Sequence, residues 1–190
     1  MSAAIAPLSR SMRFAGEALT VRVMVGDNLA LHVAVSRAPA GCVLVVDAGG
    51  FMGTAVWGEI LHTAAEARSL TAVVIDGAVR DRSALADSQL PIFARGATPN
   101  GPHKGWGGSI NGAIQCGGVA VEPHDLVLGD ADGIAVVPRV QLGGLLERCR
   151  RRMQSEVTAL ALIRQGKTTL DALSIAAPVE EVSAGASSAR

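Results

Sequence analysis

The chain has 190 residues, of which 49% are hydrophobic and 18% charged, which suits a single domain with an aliphatic core and excludes an intrinsically disordered protein. Its 17 basic and 17 acidic residues cancel, so no overall field draws it to nucleic acid or to anionic lipid. No apolar run is long enough to span a membrane, and three scattered cysteines predict a reduced, cytoplasmic protein without a disulfide framework.

Predicted strands and helices alternate through the first half of the chain. In chain order they are a strand at 18–24, a helix at 28–38, a strand at 42–48, a helix at 57–69, a strand at 71–77, a short helix at 80–88 and a strand at 91–96. The runs CVLVVDA and TAVVIDG are almost continuously apolar, which is typical of parallel strands buried on both faces. Residues 1–16 precede the first strand and are predicted to form a flexible N-terminal arm.

The second half is predicted to be rich in strands and to end in one long helix. In chain order the pattern indicates a glycine-rich loop at 100–113, strands at 114–122, 125–130 and 133–138, a helix at 139–165 and a polar tail at 166–190. Apolar residues in the long helix follow its 3.6-residue period. We therefore expect one α/β domain over 17–165 that includes this helix.

The glycine cluster DAGGFMG, at 47–53, follows a buried strand and precedes a helix. Glycines at such a place allow backbone N–H groups to approach an anion at the helix N-terminus. Three interpretations stay open: a site for a small carboxylate, a plain tight turn, and a dinucleotide site in which Asp76 binds ribose. The spacing GGxxG, instead of GxGxxG, disfavours the dinucleotide site.

Charged residues follow two neighbouring predicted strands. Because the carboxyl ends of parallel strands share one crevice, Glu59, Arg80 and Asp81 can converge there. Arginine offers a planar fork for a carboxylate or an enolate oxygen, and aspartate is a hard oxygen ligand for Mg²⁺ or Mn²⁺. The alternatives are an exposed helix start and a solvated glutamate. His62 forms an E-x-x-H pair with Glu59, but no third zinc ligand is visible.

The chain resembles one protein family over residues 17–165, through the segments GGFMGTAVWGEILHTAA, TAVVIDGAVRD, PIFARG followed by Lys104, and DGIAVVPR. It is the family of the 4-hydroxy-4-methyl-2-oxoglutarate / 4-carboxy-4-hydroxy-2-oxoadipate aldolases and of the regulator of ribonuclease activity A. The resemblance implies a three-layer β/β/α sandwich of the swivelling, phosphohistidine-domain-like type, assembled as a homotrimer or homohexamer with sites at subunit boundaries. Members are often labelled demethylmenaquinone methyltransferases, a function we reject here because the sequence contains no complete S-adenosylmethionine site.

The resemblance implies a class II pyruvate aldolase that uses Mg²⁺ or Mn²⁺. It assigns the metal directly to Asp81, and through water to Glu59 and to Glu156 of a neighbouring subunit. Glu59 stands where the aldolases carry aspartate. An ordinary charge flanking the apolar stripe of the helix is the alternative for Glu156.

The resemblance also implies a binding site for the 2-oxo acid, in which Arg80 neutralises the enolate oxygen that develops during cleavage. The backbone amides of Ile60 and Leu61 would bind the pyruvyl carboxylate. Gly50 and Gly53 would shape the wall of the pocket. A role for Lys104 at the distal carboxylate of a diacid is a further expectation. The implied substrate-binding residues are Gly50, Gly53, Ile60, Leu61, Arg80 and Lys104, and the implied catalytic residues are Glu59, Arg80, Asp81 and Glu156.

We therefore predict a lyase that cleaves 4-hydroxy-2-oxo diacids to pyruvate and decarboxylates oxaloacetate through the same enolate. The alternative is a non-enzymatic regulator that binds a ribonuclease or an RNA helicase. Such regulators are typically shorter and lack the long terminal helix, so the helix at 139–165 favours the enzyme. The arginine cluster at 148–152 is interpreted as a solvated or inter-subunit face, since the net charge is zero.

Overall fold

The computed structural model describes residues 1–176, in which helices pack on a mixed β-sheet. The elements in chain order are β1 (Ala6–Pro7), β2 (Phe14–Val23), α1 (Leu29–Arg37), β3 (Val43–Asp47), β4 (Ala55–Trp57), α2 (Glu59–Ala67), β5 (Ala72–Val79), α3 (Arg82–Asp87), β6 (Ile92–Ala97), β7 (Gly108–Ile110), β8 (Ile114–Cys116), β9 (Val119–Val121), β10 (Leu126–Asp130), β11 (Gly133–Val137), α4 (Leu145–Arg164) and α5 (Thr169–Leu173). The predicted α/β fold class is confirmed.

Four parallel strands form the centre of the sheet, in the spatial order β6, β5, β3, β2. Helices α1, α2 and α3 connect them in turn, as the alternating pattern predicts. At one edge β1 pairs antiparallel with β6. At the other, the first half of β2 pairs antiparallel with β10, which in turn pairs with β11. Strands β8 and β9 form a separate antiparallel hairpin.

The core lies on the two central strands. Every residue of β5 is buried, and the side chains of residues 43–46 in β3 are wholly buried. Burying each such valine or isoleucine contributes about 1.5–3 kcal/mol, which explains why apolar residues fill both faces of these strands. The free thiol of Cys116 also lies here, and burial raises its pKa to about 12, so it acts as a small apolar core residue.

The N-terminal segment is packed against the sheet, in contrast to the predicted flexible arm at 1–16. Ile5 is 1% exposed, and the terminal amino group of Met1 donates a hydrogen bond of 2.7 Å to the carbonyl oxygen of Ile134. The strand β2 begins at Phe14 because β10 pairs with its first residues. The segment was missed because β1 has two residues, too few to show a period.

The predicted helix at 139–165 is divided in two. A 3₁₀ turn at Arg139–Gln141 precedes α4, and Gly143 and Gly144 separate them, Gly144 with a left-handed φ of 68°. The chain forms two compact units, one at 1–142 and one that begins at Gly143. Within the second unit, Thr168 caps α5 by accepting the N–H of Asp171, inside the predicted polar tail.

Residues 177–190, the last part of that predicted tail, lie outside the described residues. Among the helices at 1–176, none combines the length and the apolar content that a membrane crossing requires.

Candidate active site at the carboxyl ends of the parallel strands

The carboxyl ends of β2, β3, β5 and β6 meet at one edge of the sheet, where ligand sites of parallel α/β folds occur. The short strand β4, hidden within the glycine-rich pattern, pairs parallel with the end of β5. This pairing brings the start of α2 beside the residues that follow β5. The N–H of Arg80 accordingly donates a 2.9 Å hydrogen bond to the carbonyl oxygen of Trp57.

Arg80, Asp81 and the first turn of α2 form one connected group. The Oδ2 atom of Asp81 accepts the backbone N–H of Glu59 at 3.0 Å and lies 3.5 Å from Nε of Arg80. Asp81 holds a left-handed backbone, with φ 56° and ψ 37°, which turns the chain sharply between β5 and α3. The structure thus brings the backbone of Glu59 together with the side chains of Arg80 and Asp81.

Gly58 gives this group the space it needs. A Cβ atom at position 58 would lie 2.6 Å from Oδ2 of Asp81 and 2.9 Å from Cγ and Nε of Arg80. Its φ of −161° is extended backbone open to any residue, so the constraint is space and not conformation. Sequence reasoning missed Gly58, and only the close approach of the two strands reveals its role.

A small pocket of about 50 Å³ lies beside this group. It is lined by Asn28, His32, Ala55, Val56, Trp57, Gly58, Ile60, Leu61, Arg80, Pro102 and Lys104. Helix geometry leaves the N–H groups of Ile60 and Leu61 without intrahelical acceptors, since they belong to the first turn of α2. The predicted residues Ile60, Leu61, Arg80 and Lys104 therefore share one pocket.

Asn28, which precedes α1, and His32, within α1, also line this pocket. Sequence reasoning missed both as site residues. Asn28 is 5% exposed, and among residues 1–176 neither its Oδ1 atom nor the buried Nε2 atom of His32 has a hydrogen-bond partner. Burial lowers the pKa of His32, and the positive charge of Lys104 lowers it further. Position along the chain could have identified Asn28, because it follows the carboxyl end of β2, at the sheet edge that carries the site.

Asp27 fixes the loop that carries Lys104. Its buried carboxylate accepts the backbone N–H groups of Leu29, Gly105 and Trp106, at 2.8, 2.6 and 2.9 Å. Burial alone raises the pKa of Asp27, but these three donors outweigh it and hold the pKa below its usual value. The carboxylate is therefore a structural anchor that stays ionised.

The remaining predicted residues lie elsewhere. A Cβ atom at Gly50 would contact the Arg95 guanidinium, and one at Gly53 would meet the ring of Phe51; neither glycine lines the pocket. Glu156 lies in the second unit, on α4, where its Oε1 atom lies 2.8 Å from Nε of Arg152 in an ion pair.

The dinucleotide interpretation needs a free carboxylate at Asp76, and the structure uses both of its oxygens. Asp76 is 6% exposed, forms an ion pair with Arg95, and accepts the N–H of Gly117 at 2.6 Å. The carboxylate therefore ties β5 to β6 and to the β8–β9 hairpin. The geometry does not support ribose binding there.

His62 is buried, and a chain of hydrogen bonds connects it to Trp57, Ser88 and Glu66. Trp57 Nε1–H donates to Nδ1 of His62 at 3.3 Å, so the ring proton resides on Nε2 and is donated to Ser88 Oγ at 2.7 Å. Ser88 in turn donates to Glu66 at 2.6 Å. Burial lowers the pKa of His62, although Glu66 raises it in part. With both nitrogens occupied, His62 supports the fold and does not ligate metal.

Within residues 1–176 no three histidine, cysteine, aspartate or glutamate side chains lie close enough together to enclose a metal ion. Asp81 is nevertheless a 40% exposed carboxylate on an open cleft of about 420 Å³ that Arg80 and Thr98 also line. Mg²⁺ characteristically binds through one or two carboxylates and keeps several waters. The exposed carboxylate of Asp81 therefore fits such an ion, with water filling the other coordination positions.

Known proteins resemble the chain in both sequence and fold. A protein of Halalkalibacterium halodurans, provisionally named 4-hydroxy-4-methyl-2-oxoglutarate aldolase, is 37% identical over 156 residues, which cover 82% of this chain and 74% of that protein. The structure of the RNA-processing inhibitor RraA from Thermus thermophilis has a TM-score of 0.68 at 32% identity, covering 73% of this chain and 84% of that one. A Geobacillus kaustophilus structure described as an S-adenosylmethionine:2-dimethylmenaquinone methyltransferase has a TM-score of 0.67 at 31% identity, covering 70% and 83%.

The family model described as "RraA-like: Aldolase/RraA" matches residues 1–136. That range contains the parallel strands, the Arg80–Asp81 group and the pocket beside it. The chain belongs to the RraA-like family.

Proposed function

We propose that the protein is a divalent-metal-dependent lyase that cleaves 4-hydroxy-2-oxo diacids to pyruvate, and that the same site decarboxylates oxaloacetate. The observation that carries the proposal is the group formed by Arg80, Asp81 and the first turn of α2. The pocket beside it is lined, within residues 1–176, by two cations and no carboxylate. The provisional name of the Halalkalibacterium halodurans relative supports the same reaction class.

The 2-oxo acid end of the substrate binds at the start of α2. The unshared N–H groups of Ile60 and Leu61 and the positive end of the helix suit its carboxylate. Arg80 lies beside them and donates to the 2-oxo oxygen. When the C3–C4 bond breaks, the C4 hydroxyl loses its proton to water and becomes a carbonyl, while the electron pair of the bond moves toward the 2-oxo oxygen. The guanidinium stabilises the charge that develops there, and protonation of the enolate at C3 then gives pyruvate.

Asp81 would hold the metal directly, and Glu59 would hold it through water, together with Glu156 of a neighbouring subunit. The exposed carboxylate of Asp81 beside the open cleft supports this assignment. A divalent ion in this place supplies Lewis-acid polarisation of the 2-oxo group. Arg80 and the first turn of α2 orient the 2-oxo acid so that its C3–C4 bond faces the pocket.

Assembly as a homotrimer or homohexamer is part of the proposal, because Glu156 must come from another subunit. Large apolar side chains on α4 are exposed: Leu146 at 70%, Met153 at 65%, Val157 at 60% and Leu160 at 50%. Such a surface is typical of an interface between subunits.

The test is release of pyruvate from 4-hydroxy-4-methyl-2-oxoglutarate and from oxaloacetate, coupled to lactate dehydrogenase, with Mg²⁺, Mn²⁺ or EDTA present. EDTA-sensitive turnover of both substrates is expected, and Asp81→Asn should abolish it. Asp87→Asn is the matched control, since Asp87 is an exposed aspartate at the other end of α3. No turnover by folded protein would refute the lyase and favour a binding protein, as the likeness to the RNA-processing inhibitor suggests.

A further inference from the structure

Asn28 and His32 line the pocket, and each has a buried polar atom without a hydrogen-bond partner among residues 1–176. These two atoms point to a ligand that extends beyond the Arg80 group. Burying a polar atom without a hydrogen bond has a cost in free energy. The Oδ1 atom of Asn28 and the Nε2 atom of His32 both carry this cost, and both lie on residues that line the same pocket. A ligand with complementary groups would remove it.

The atom that Asn28 offers is an acceptor. Its Nδ2 group donates a 3.0 Å hydrogen bond to the carbonyl oxygen of Val56, which can only accept. This bond fixes the orientation of the amide, so the unpartnered atom is the oxygen. A carboxylate would be repelled there, whereas a hydroxyl group can donate to it.

The surroundings of His32 suit an anion instead. Burial and the charge of Lys104 favour the neutral ring, whose Nε2 can carry a proton and donate it. Lys104 lines the same pocket, and no aspartate or glutamate is among the residues at 1–176 that line it. A carboxylate can therefore accept from His32 with the ammonium of Lys104 close by.

The size of the pocket agrees with a small polar terminus. Its volume of about 50 Å³ holds roughly four water-sized groups. A hydroxyl, a carboxylate and the carbon that bears them need about that space. Arg80 lines both this pocket and the open cleft of about 420 Å³ beside Asp81, so the rest of the substrate has room in that cleft. A nucleotide or a long acyl chain would not fit.

We propose that Asn28 and His32 form a specificity subsite for the far end of a 4-hydroxy-2-oxo diacid. Asn28 Oδ1 accepts the hydroxyl at C4, and His32 Nε2–H donates to the carboxylate attached to C4. The inference rests on the proposed function, in which Arg80 and the start of α2 hold the 2-oxo acid end. It adds the residues that select a substrate with a distal carboxylate over one without it.

The test compares two cleavable substrates that share the C4 hydroxyl, 4-hydroxy-4-methyl-2-oxoglutarate with the distal carboxylate and 4-hydroxy-2-oxopentanoate without it. His32→Leu should lower kcat/KM for the diacid about 10- to 100-fold, the worth of one hydrogen bond to a charged group, and leave the shorter substrate within about threefold. His32→Gln, which keeps a donor, should restore part of the loss. His103→Gln, an exposed histidine whose ring stacks on Trp106, is the control.

A binding measurement separates this inference from the proposed reaction. Calorimetry with 2-oxoglutarate and 2-oxopentanoate, which lack the C4 hydroxyl and are not cleaved, should show a preference for the diacid that His32→Leu removes. That result supports the subsite even if neither 4-hydroxy acid is cleaved. Turnover of the diacid with unchanged discrimination in a folded His32→Leu variant overturns the subsite and leaves the lyase intact.

Discussion

Replacing Gly58 by alanine tests whether the spacing of the Arg80–Asp81 group controls turnover. Ordinary contact for the new Cβ begins near 3.4 Å, so Asp81 Oδ2, at 2.6 Å, must move by about 0.8 Å and Arg80, at 2.9 Å, by about 0.5 Å. A displacement near 1 Å at a reacting group can cost about 100-fold in rate. We therefore expect kcat/KM for pyruvate release to fall by roughly 10- to 100-fold.

The fold should tolerate this change. The extended φ of Gly58 accepts alanine, which stabilises by about 0.4–1 kcal/mol through the unfolded state. Loss of the hydrogen bond from Glu59 N–H to Asp81 costs about 0.5–1.5 kcal/mol and offsets that gain. Gly112→Ala is the control, because a Cβ at Gly112 would meet no atom of residues 1–176 within 4 Å. Wild-type kcat/KM in a Gly58→Ala variant with an unchanged melting temperature would refute the reasoning.

Three other predictions concern charge, pH and packing. Arg80→Lys should lower kcat at least tenfold in the coupled assay, since a point charge does not replace a planar fork; activity within twofold of wild type contradicts that role. His62 has a folded pKa below its unfolded value of 6.5, so the unfolded chain binds more protons as the pH falls below about 6.5. The free energy of unfolding in urea should then decrease by up to about 1.4 kcal/mol per pH unit, and a His62→Gln variant with the same slope would exclude this cause. Ile5→Ala should cost about 2–5 kcal/mol in the same assay if the N-terminal segment is packed as described, and a loss below about 1 kcal/mol would show that it is not.

Sequence patterns predicted the elements that are buried on both faces. The apolar runs at 42–48 and 71–77 correspond to β3 and β5 to within about two residues, because full burial requires apolar residues throughout. Strands such as β4 and β7 have three residues each and lie among glycines, so neither shows a period. Pairing with longer strands creates them, and that is a property of the tertiary structure.

The same distinction applies to the candidate site. Arg80 and Asp81 could be predicted because a charged pair directly after a buried strand is uncommon. Asn28 looks like an ordinary helix start, and His32 looks like an ordinary histidine on a helix face. Only the folded arrangement reveals that each has a buried polar atom without a partner in the described part of the chain, and that both residues line the same pocket.

Asp81 occupies a backbone conformation that glycine adopts freely and that costs other residues on the order of 1 kcal/mol. Glycine at this position would relieve that strain, but it would also remove the carboxylate that accepts the N–H of Glu59, a loss of about 0.5–1.5 kcal/mol that offsets the gain. Selection for heat resistance alone would therefore distinguish little between aspartate and glycine at 81. Selection for the proposed lyase activity would retain aspartate, since only the carboxylate could hold the ion.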